Sequence, residues 1–165
     1  NSANATMYLN TSGGTFLQAN HAKHVRMPSQ PSFAVMYNGS QWNVPNGSVM
    51  TFNKIRHNTG NHYDTSNGRF TAPVAGSYQF NFYSIYLYSY NNAYTRLQVN
   101  GSRINGGDCH FTTSQGSSWH NLAWSQTLYL NANEYVDIVS YTGSGGGTLS
   151  WHGNHWQCWS GYLLG

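Results

Sequence analysis

The sequence predicts an all-β sandwich or barrel, on three observations. No stretch of ten residues repeats apolar positions at three-four spacing behind a capping residue, so helix signals are close to absent. Alternation of apolar and polar residues recurs along the chain instead, as strands with one buried face require. Clusters of Gly and Asn at 38–41, 58–61, 105–107 and 143–147 separate the alternating runs, as turns do. No internal repeat stands out, which argues against a propeller or a solenoid.

The elements follow in order. Residues 1–30 are polar with two short apolar patches and run into Pro28. They read as a connector or stalk end, and the globular domain as 31–165. The segment "YQFNFYSIYLYSY" (78–90) opens as strict alternation, with Tyr78, Phe80 and Phe82 separated by Gln79 and Asn81. Its other parity then turns apolar too, through Tyr83, Ile85 and Leu87. "RLQVNGSRI" (96–104) carries Asn100-Gly101, the dipeptide that best accepts the positive φ angles of a tight hairpin turn. "HNLAWSQTLYL" (120–130) sets Leu122, Trp124, Leu128 and Leu130 against Asn121, Ala123, Ser125 and Thr127. "YVDIVSY" (135–141) and "CWSGYLLG" (158–165) read as two further strands.

Bulk properties bound the function. At 165 residues and 39% hydrophobic content, one domain buries a sufficient core without staples. Only 7% of residues are charged, and the net +3 is scattered rather than clustered, unlike a nucleic-acid binder. Asn, Ser, Gly, Thr and Tyr solvate the surface instead, which suits work outside a cell. No stretch reaches the apolar length of a membrane span, so no membrane insertion is expected. Cys109 and Cys158 are compatible with one bridge or with two thiols.

Phe52, Asn58, Tyr63, Phe70, Gly76, Tyr78, Phe80 and Phe82 fall at spacings that resemble the defining pattern of the complement C1q globular-domain family. "WSGYLLG", with Gly161, resembles that family's closing strand, and "PSFAV" (31–35) stands where its first strand begins. The resemblance spans 31–165 and matches least over 84–155. It implies a ten-stranded jelly-roll β-sandwich of tumour necrosis factor type, assembled as a homotrimer. The phenylalanines and Tyr78 would then fill the space between the sheets, and Gly76 would sit in a turn where a side chain is strained. Asn58 and Tyr63 would hold the long loop by side-chain hydrogen bonds. Tyr83, Ile85 and Leu87 would point away from the interior, where an exposed apolar stripe calls for cover. A neighbouring subunit is the simplest cover, and a surface loop folded over the strand is the alternative.

Candidate chemistry is sparse. His152, His155 and Cys158, with Cys109 and His110, offer zinc-type donors, but three-residue spacing reverses sides along a strand. "HAKH" (21–24) would act only as one copy per chain near a threefold axis. The four acids, Asp64, Asp108, Glu134 and Asp137, include no sequence-adjacent pair for calcium. No metal and no cofactor is expected. The chain lacks a Gly-x-Ser-x-Gly elbow, a phosphate loop and a His-Glu-x-x-His helix, so no enzyme is expected.

Trp42, Trp119, Trp151 and Trp156 fall in or near predicted loops amid Asn, Ser, Gln and His. Flat rings beside amide and hydroxyl groups suit sugar faces and protein contacts alike. The opposing reading places these tryptophans at the sandwich ends or in the trimer. The lead-in "HVRMPSQPSFAV" resembles junctions before such domains in bacteriophage fibre and virion proteins. The expectation is therefore a distal recognition domain on a virion surface. Its partners would be its own copies, a host-surface glycan or protein, and other virion proteins, with no nucleic acid. The alternatives are a capping or cementing protein of a virion, and a secreted animal lectin-like defence protein. Asn4, Asn10, Asn38, Asn46 and Asn100 stand in Asn-x-Ser/Thr triplets, which secretion would open to glycosylation.

Overall fold

The structure of the protein is a computed structural model that describes residues 6–20, 25–87, 92–112, 119–143 and 147–165. Within these, the side chains of Phe16, Leu87, Asn92, Phe111, Thr112 and Trp119 are left undescribed. The "HAKH" segment lies outside the described residues.

Three strands precede the main body. β1 (Met7–Thr11), β2 (Gly14–Ala19) and β3 (Val25–Arg26) form an antiparallel sheet in the order β1-β2-β3. Every residue of β1 is exposed.

From Ser32 onward, ten strands among the described residues have five residues or more. They are β4 (Ser32–Met36), β5 (Gln41–Pro45), β7 (Lys54–Thr59), β10 (Gly76–Leu87) and β11 (Asn92–Val99), then β12 (Ser102–Thr112), β13 (Trp119–Leu130), β14 (Tyr135–Thr142), β15 (Thr148–His152) and β16 (Gln157–Leu163). Three shorter pieces, β6 (Ser48–Val49), β8 (Tyr63–Asp64) and β9 (Arg69–Thr71), join them among the described residues. The ten longer strands answer the jelly-roll expectation.

Two sheets pack face to face. The larger runs β5-β15-β10-β16-β4-β7, with β13 on the other edge of β10. The smaller runs β12-β11-β14-β9-β8, with β6 on β14. β10 is the spine of the larger sheet, pairing with β13 along its whole length and with β16 from Tyr78 to Ser84. Its even positions Tyr78, Phe80, Phe82 and Tyr86 are buried in the core. Phe52 and Phe70 join them with no exposure at all. Phe33 of β4 stacks on Phe70 at 4.9 Å and meets Trp159 edge-on at 4.9 Å. Such offset and edge-to-face pairs add to what area burial alone contributes.

Local chemistry sets the turns. Asn100 and Gly101 take φ of 50° and 74° and close the β11–β12 hairpin, with Val99 opposite Ser102. Asn58 Nδ2 donates to Tyr63 O at 2.8 Å, and Tyr63 N donates to Asn58 Oδ1 at 3.0 Å. The Tyr63 hydroxyl donates to Phe52 O at 3.3 Å, so the loop is pinned at both ends. Gly76 corrects its expectation. It opens β10 rather than sitting in a strained turn, and crowding accounts for it: a Cβ there would lie 2.7 Å from Leu163 Cδ1.

Both ends of the domain meet at one pole. Leu163 N donates to Pro31 O at 3.0 Å, and Ser77 N donates to Gly165 O at 3.0 Å. The Gln30 side-chain amide donates to Leu163 O.

Candidate functional site

The outer face of β10 divides into two halves. Toward Gly76, Gln79 Nε2 donates to Ser125 Oγ at 2.8 Å, Ser125 Oγ donates to Asn81 Oδ1 at 2.8 Å, and Thr127 Oγ1 donates to Gln79 Oε1 at 2.7 Å. This half is a closed amide–hydroxyl ladder. Toward Leu87 the face turns apolar. Tyr83 is 43% exposed and stands opposite Ala123 and Cys158; Ile85 follows it, half-buried.

A hollow of about 410 Å³ opens at that apolar end, between Tyr83, Ile85, Asn121, Ala123, His155 and Trp156. Trp156 ends a short 3-10 turn, Asn154–Trp156, that overhangs β10, and it is 49% exposed. The turn brings together residues that sequence spacing had treated separately, the stripe at 83–85 and the candidate ring at 156. The Leu87 and Trp119 side chains fall outside the described ones.

Trp42 and Trp151 are corrections. They face each other across β5 and β15, and both turn inward, with Trp151 fully buried. Trp42 stacks on Tyr37 at 4.7 Å, and Trp151 Nε1 donates to Ser140 Oγ at 3.1 Å. Neither ring can meet a ligand from solvent in this fold. The polar neighbours that made them look like loop residues, Gln41, Asn43 and Ser150, occupy the opposite parity of the same strands.

The zinc-type donors do not converge: among the described residues no three His, Cys, Asp or Glu groups come together. Cys109 and Cys158 are unbridged thiols, and burial pushes both above the usual thiol range. They are therefore weak nucleophiles at neutral pH.

The outer face of the smaller sheet carries a feature that sequence reasoning missed. His110, Tyr94 and Tyr141 occupy one row across β12, β11 and β14. Tyr94 stacks on His110 at 4.3 Å and on Tyr141 at 4.9 Å, the latter pair only 8° from parallel. The next row holds an ion cluster. Arg96 reaches Asp108 through Nε at 2.7 Å and Nη2 at 3.3 Å, and Arg103 Nη2 lies 2.8 Å from the same carboxylate. Arg96 also lies over the Tyr141 ring at 4.4 Å. Burial opposes ionisation of Asp108, but the Arg96 hydrogen bond and the charge attraction of Arg96, Arg103 and His110 together outweigh it and hold its carboxyl below the usual range. The three rings stand far apart in sequence, and only the strand register aligns them.

A second hollow, of about 400 Å³, lies at the pole where Leu163 meets Pro31, lined by Met27, Pro31, His62, Val74, Leu163 and Leu164. Its walls are mostly apolar, and burial lowers the affinity of His62 for a proton.

Comparison with known proteins places this geometry. The model of the C1q domain matches residues 32–164. A complement C1q subcomponent of Mus musculus is 30% identical over 119 residues, covering 70% of this chain and 47% of the mouse protein. The chain thus spans about half the length of that curated relative. Among solved structures, the globular domain of zebrafish complement 1qA superposes with a TM-score of 0.64 at 19% identity, over 82% of this chain and 98% of that one. The Eiger tumour necrosis factor of S. frugiperda gives 0.64 at 12% identity, over 83% and 94%. Murine APRIL at pH 5.0 gives 0.62 at 6% identity, over 82% and 99%. At these identities the structural likeness is one of fold.

Proposed function

The chain belongs to the C1q domain family, and from that premise we propose that it is a non-enzymatic recognition domain working as a homotrimer outside the cell. The observation that carries this reading is the uncovered apolar end of β10. Tyr83, Ile85 and Trp156 surround an open hollow on a single chain, next to a closed polar ladder. A patch of that kind favours association, and a threefold arrangement of copies covers it with an interface that resembles a core cut in half.

The sheet β1–β3 supports the same reading. Met7 is 58% exposed and Leu9 44%, and a small sheet with bare faces is marginal in water without packing. Copies of the same segment would supply that packing, which supports reading residues 1–30 as a connector or stalk end.

The setting we favour is the tip of a phage fibre or virion spike, with a host-surface glycan or protein as ligand and other virion proteins at the base. The junction "HVRMPSQPSFAV" supports it. Three weak sites on one rigid trimer gain strength through avidity. A secreted animal lectin-like protein is the second reading, favoured by the likeness to the mouse complement C1q subcomponent. Of its glycosylation triplets, Asn38 is exposed, whereas Asn46 and Asn100 already hold backbone amides of Thr142 and Tyr135.

Light scattering on the purified chain tests the assembly: a mass of three chains is expected, and a stable folded monomer at micromolar concentration overturns it. Binding of the trimer to host cells tests recognition. Failure to bind while a neighbouring virion protein binds points to a capping or cementing role. Intact mass separates the settings, since added hexose units favour the animal reading.

A further inference from the structure

We propose that the edge of the smaller sheet at β12 is a binding site for an acidic saccharide, a pyranose ring bearing a carboxylate. The inference rests on the recognition reading above and assigns it a site and a ligand class.

A bulge makes the site. Along β11 and β12 the register runs from Arg96 opposite Asp108 to Gln98 opposite Arg103. Residues 104–107 therefore stand against Leu97 alone, and the chain must loop outward. Gly106 takes a φ of 73°, and at Gly107 a Cβ would lie 2.6 Å from Leu97 O, so these glycines permit the bulge. The bulge encloses a hollow of about 530 Å³ between Arg103, Asn105, Gly106, Asp108 and His110.

A flat platform borders it. The ring row ends at His110, because β12 is the edge strand of its sheet. His110 is 57% exposed while one face is held against Tyr94, so its orientation is fixed before any ligand arrives. A pyranose ring can continue the row by apolar contact with the outer imidazole face.

The charge is unbalanced in the direction an anion needs. Two guanidiniums, Arg96 and Arg103, share the single carboxylate of Asp108. Arg96 is spent on the cluster and on the Tyr141 hydroxyl at 3.2 Å. Arg103 is 65% exposed and presents further N–H donors at the mouth of the hollow. A guanidinium grips a carboxylate through two parallel hydrogen bonds, and the exposed Asn105 amide beside it suits sugar hydroxyls. Asp108, tied by both arginines, positions Arg103 and fills the inner wall.

Titration of the full chain with a hyaluronan tetrasaccharide, sialyllactose and lactose, followed by amide NMR shifts, tests the proposal. The acidic probes should bind about tenfold or more tightly than lactose and shift Tyr94, Arg103 and His110. Arg103→Gln should remove that preference, Arg103→Lys should keep part of it, and His110→Ala should weaken all three probes, with unchanged circular dichroism in each variant. Equal affinity for lactose and the acidic probes, no acidic binding, or shifts confined to Trp156 and its neighbours overturns the site. Host-cell binding that survives in Arg103→Gln and His110→Ala sinks the site and leaves the recognition reading standing. Acidic-sugar binding at β12 by a trimer that ignores host cells does the reverse.

Discussion

Gly161 lies opposite Phe80 across β16 and β10, so close that a Cβ on the glycine would stand 2.6 Å from Phe80 Cδ1. Phe33, on the other side of Gly161, would meet the same Cβ at 2.7 Å. The two rings press over one bare backbone. This glycine has no positive φ to justify it, so its role is space.

Gly161→Ala should therefore cost about 1–3 kcal/mol through forced displacement of Phe33 or Phe80. Urea unfolding of the variant against the parent checks it. A variant as stable as the parent would show that the core yields more readily than the packing indicates.

Asn58→Ala should cost about 2–3 kcal/mol, because both backbone groups of Tyr63 lose their partner at once. Tyr63→Phe should cost a similar amount, about 2–3 kcal/mol, since the buried hydroxyl accepts from Phe52 N at 3.2 Å and donates to Phe52 O at 3.3 Å, and both bonds go. Denaturant midpoints of the two variants against the parent measure both costs.

The Arg96–Asp108–Arg103 cluster makes a signed prediction in acid. The Asp108 carboxyl titrates lower in the fold than in the unfolded chain, so its contribution is fully present above the ordinary carboxylate range. It is lost as pH falls below about 4, through the lowered folded value. Asp108→Asn should flatten stability over that window and leave a less stable protein at pH 7. Thermal melts as a function of pH measure both.

Asp137 carries the opposite sign. Its side chain is 1% exposed, and burial raises its proton affinity although Arg69 Nε, 3.3 Å away, pulls the other way. The charged form is thus disfavoured by folding above the ordinary carboxylate range, and that cost is relieved as pH falls through the raised folded value. Asp137→Asn should be no less stable than the parent at pH 7, and should lose its stability advantage in mild acid.

Ile85→Arg, alone or with Tyr83→Glu, should convert a three-chain species into monomer without loss of strand signal. Both positions face outward, so the sandwich core is untouched. Light scattering with circular dichroism reads the two quantities together.

The architecture was legible where chemistry is local. Asn100-Gly101 forms its hairpin because two positive φ angles in succession select that dipeptide. The parity of Leu122, Trp124, Leu128 and Leu130 held because one face of β13 is covered and the other is wet. The mate of Asn58 was legible at a distance of five residues. Trp42 and Trp151 misled because each sits within a five-residue strand whose alternate positions are polar, and such short runs look like loops. The row of His110, Tyr94 and Tyr141 was illegible for a different reason. Its members come from three strands, and no local pattern fixes the register that aligns them. The N-terminal segment read as a connector or stalk end, and the pairing of Met7–Thr11 with Gly14–Ala19 within it went unread, since apolar residues there are too few and too short to announce strands.

The bond between Leu163 and Pro31 gives the molecule a direction. Entry and exit of the domain share one pole, while Trp156, Tyr94 and His110 belong to the other, beside the Tyr86–Trp151 end of the larger sheet and the Ala93–Thr142 end of the smaller. A fluorophore or affinity handle joined after Gly165 would accordingly emerge beside Pro31 and Ser77 and leave the far tip unobstructed.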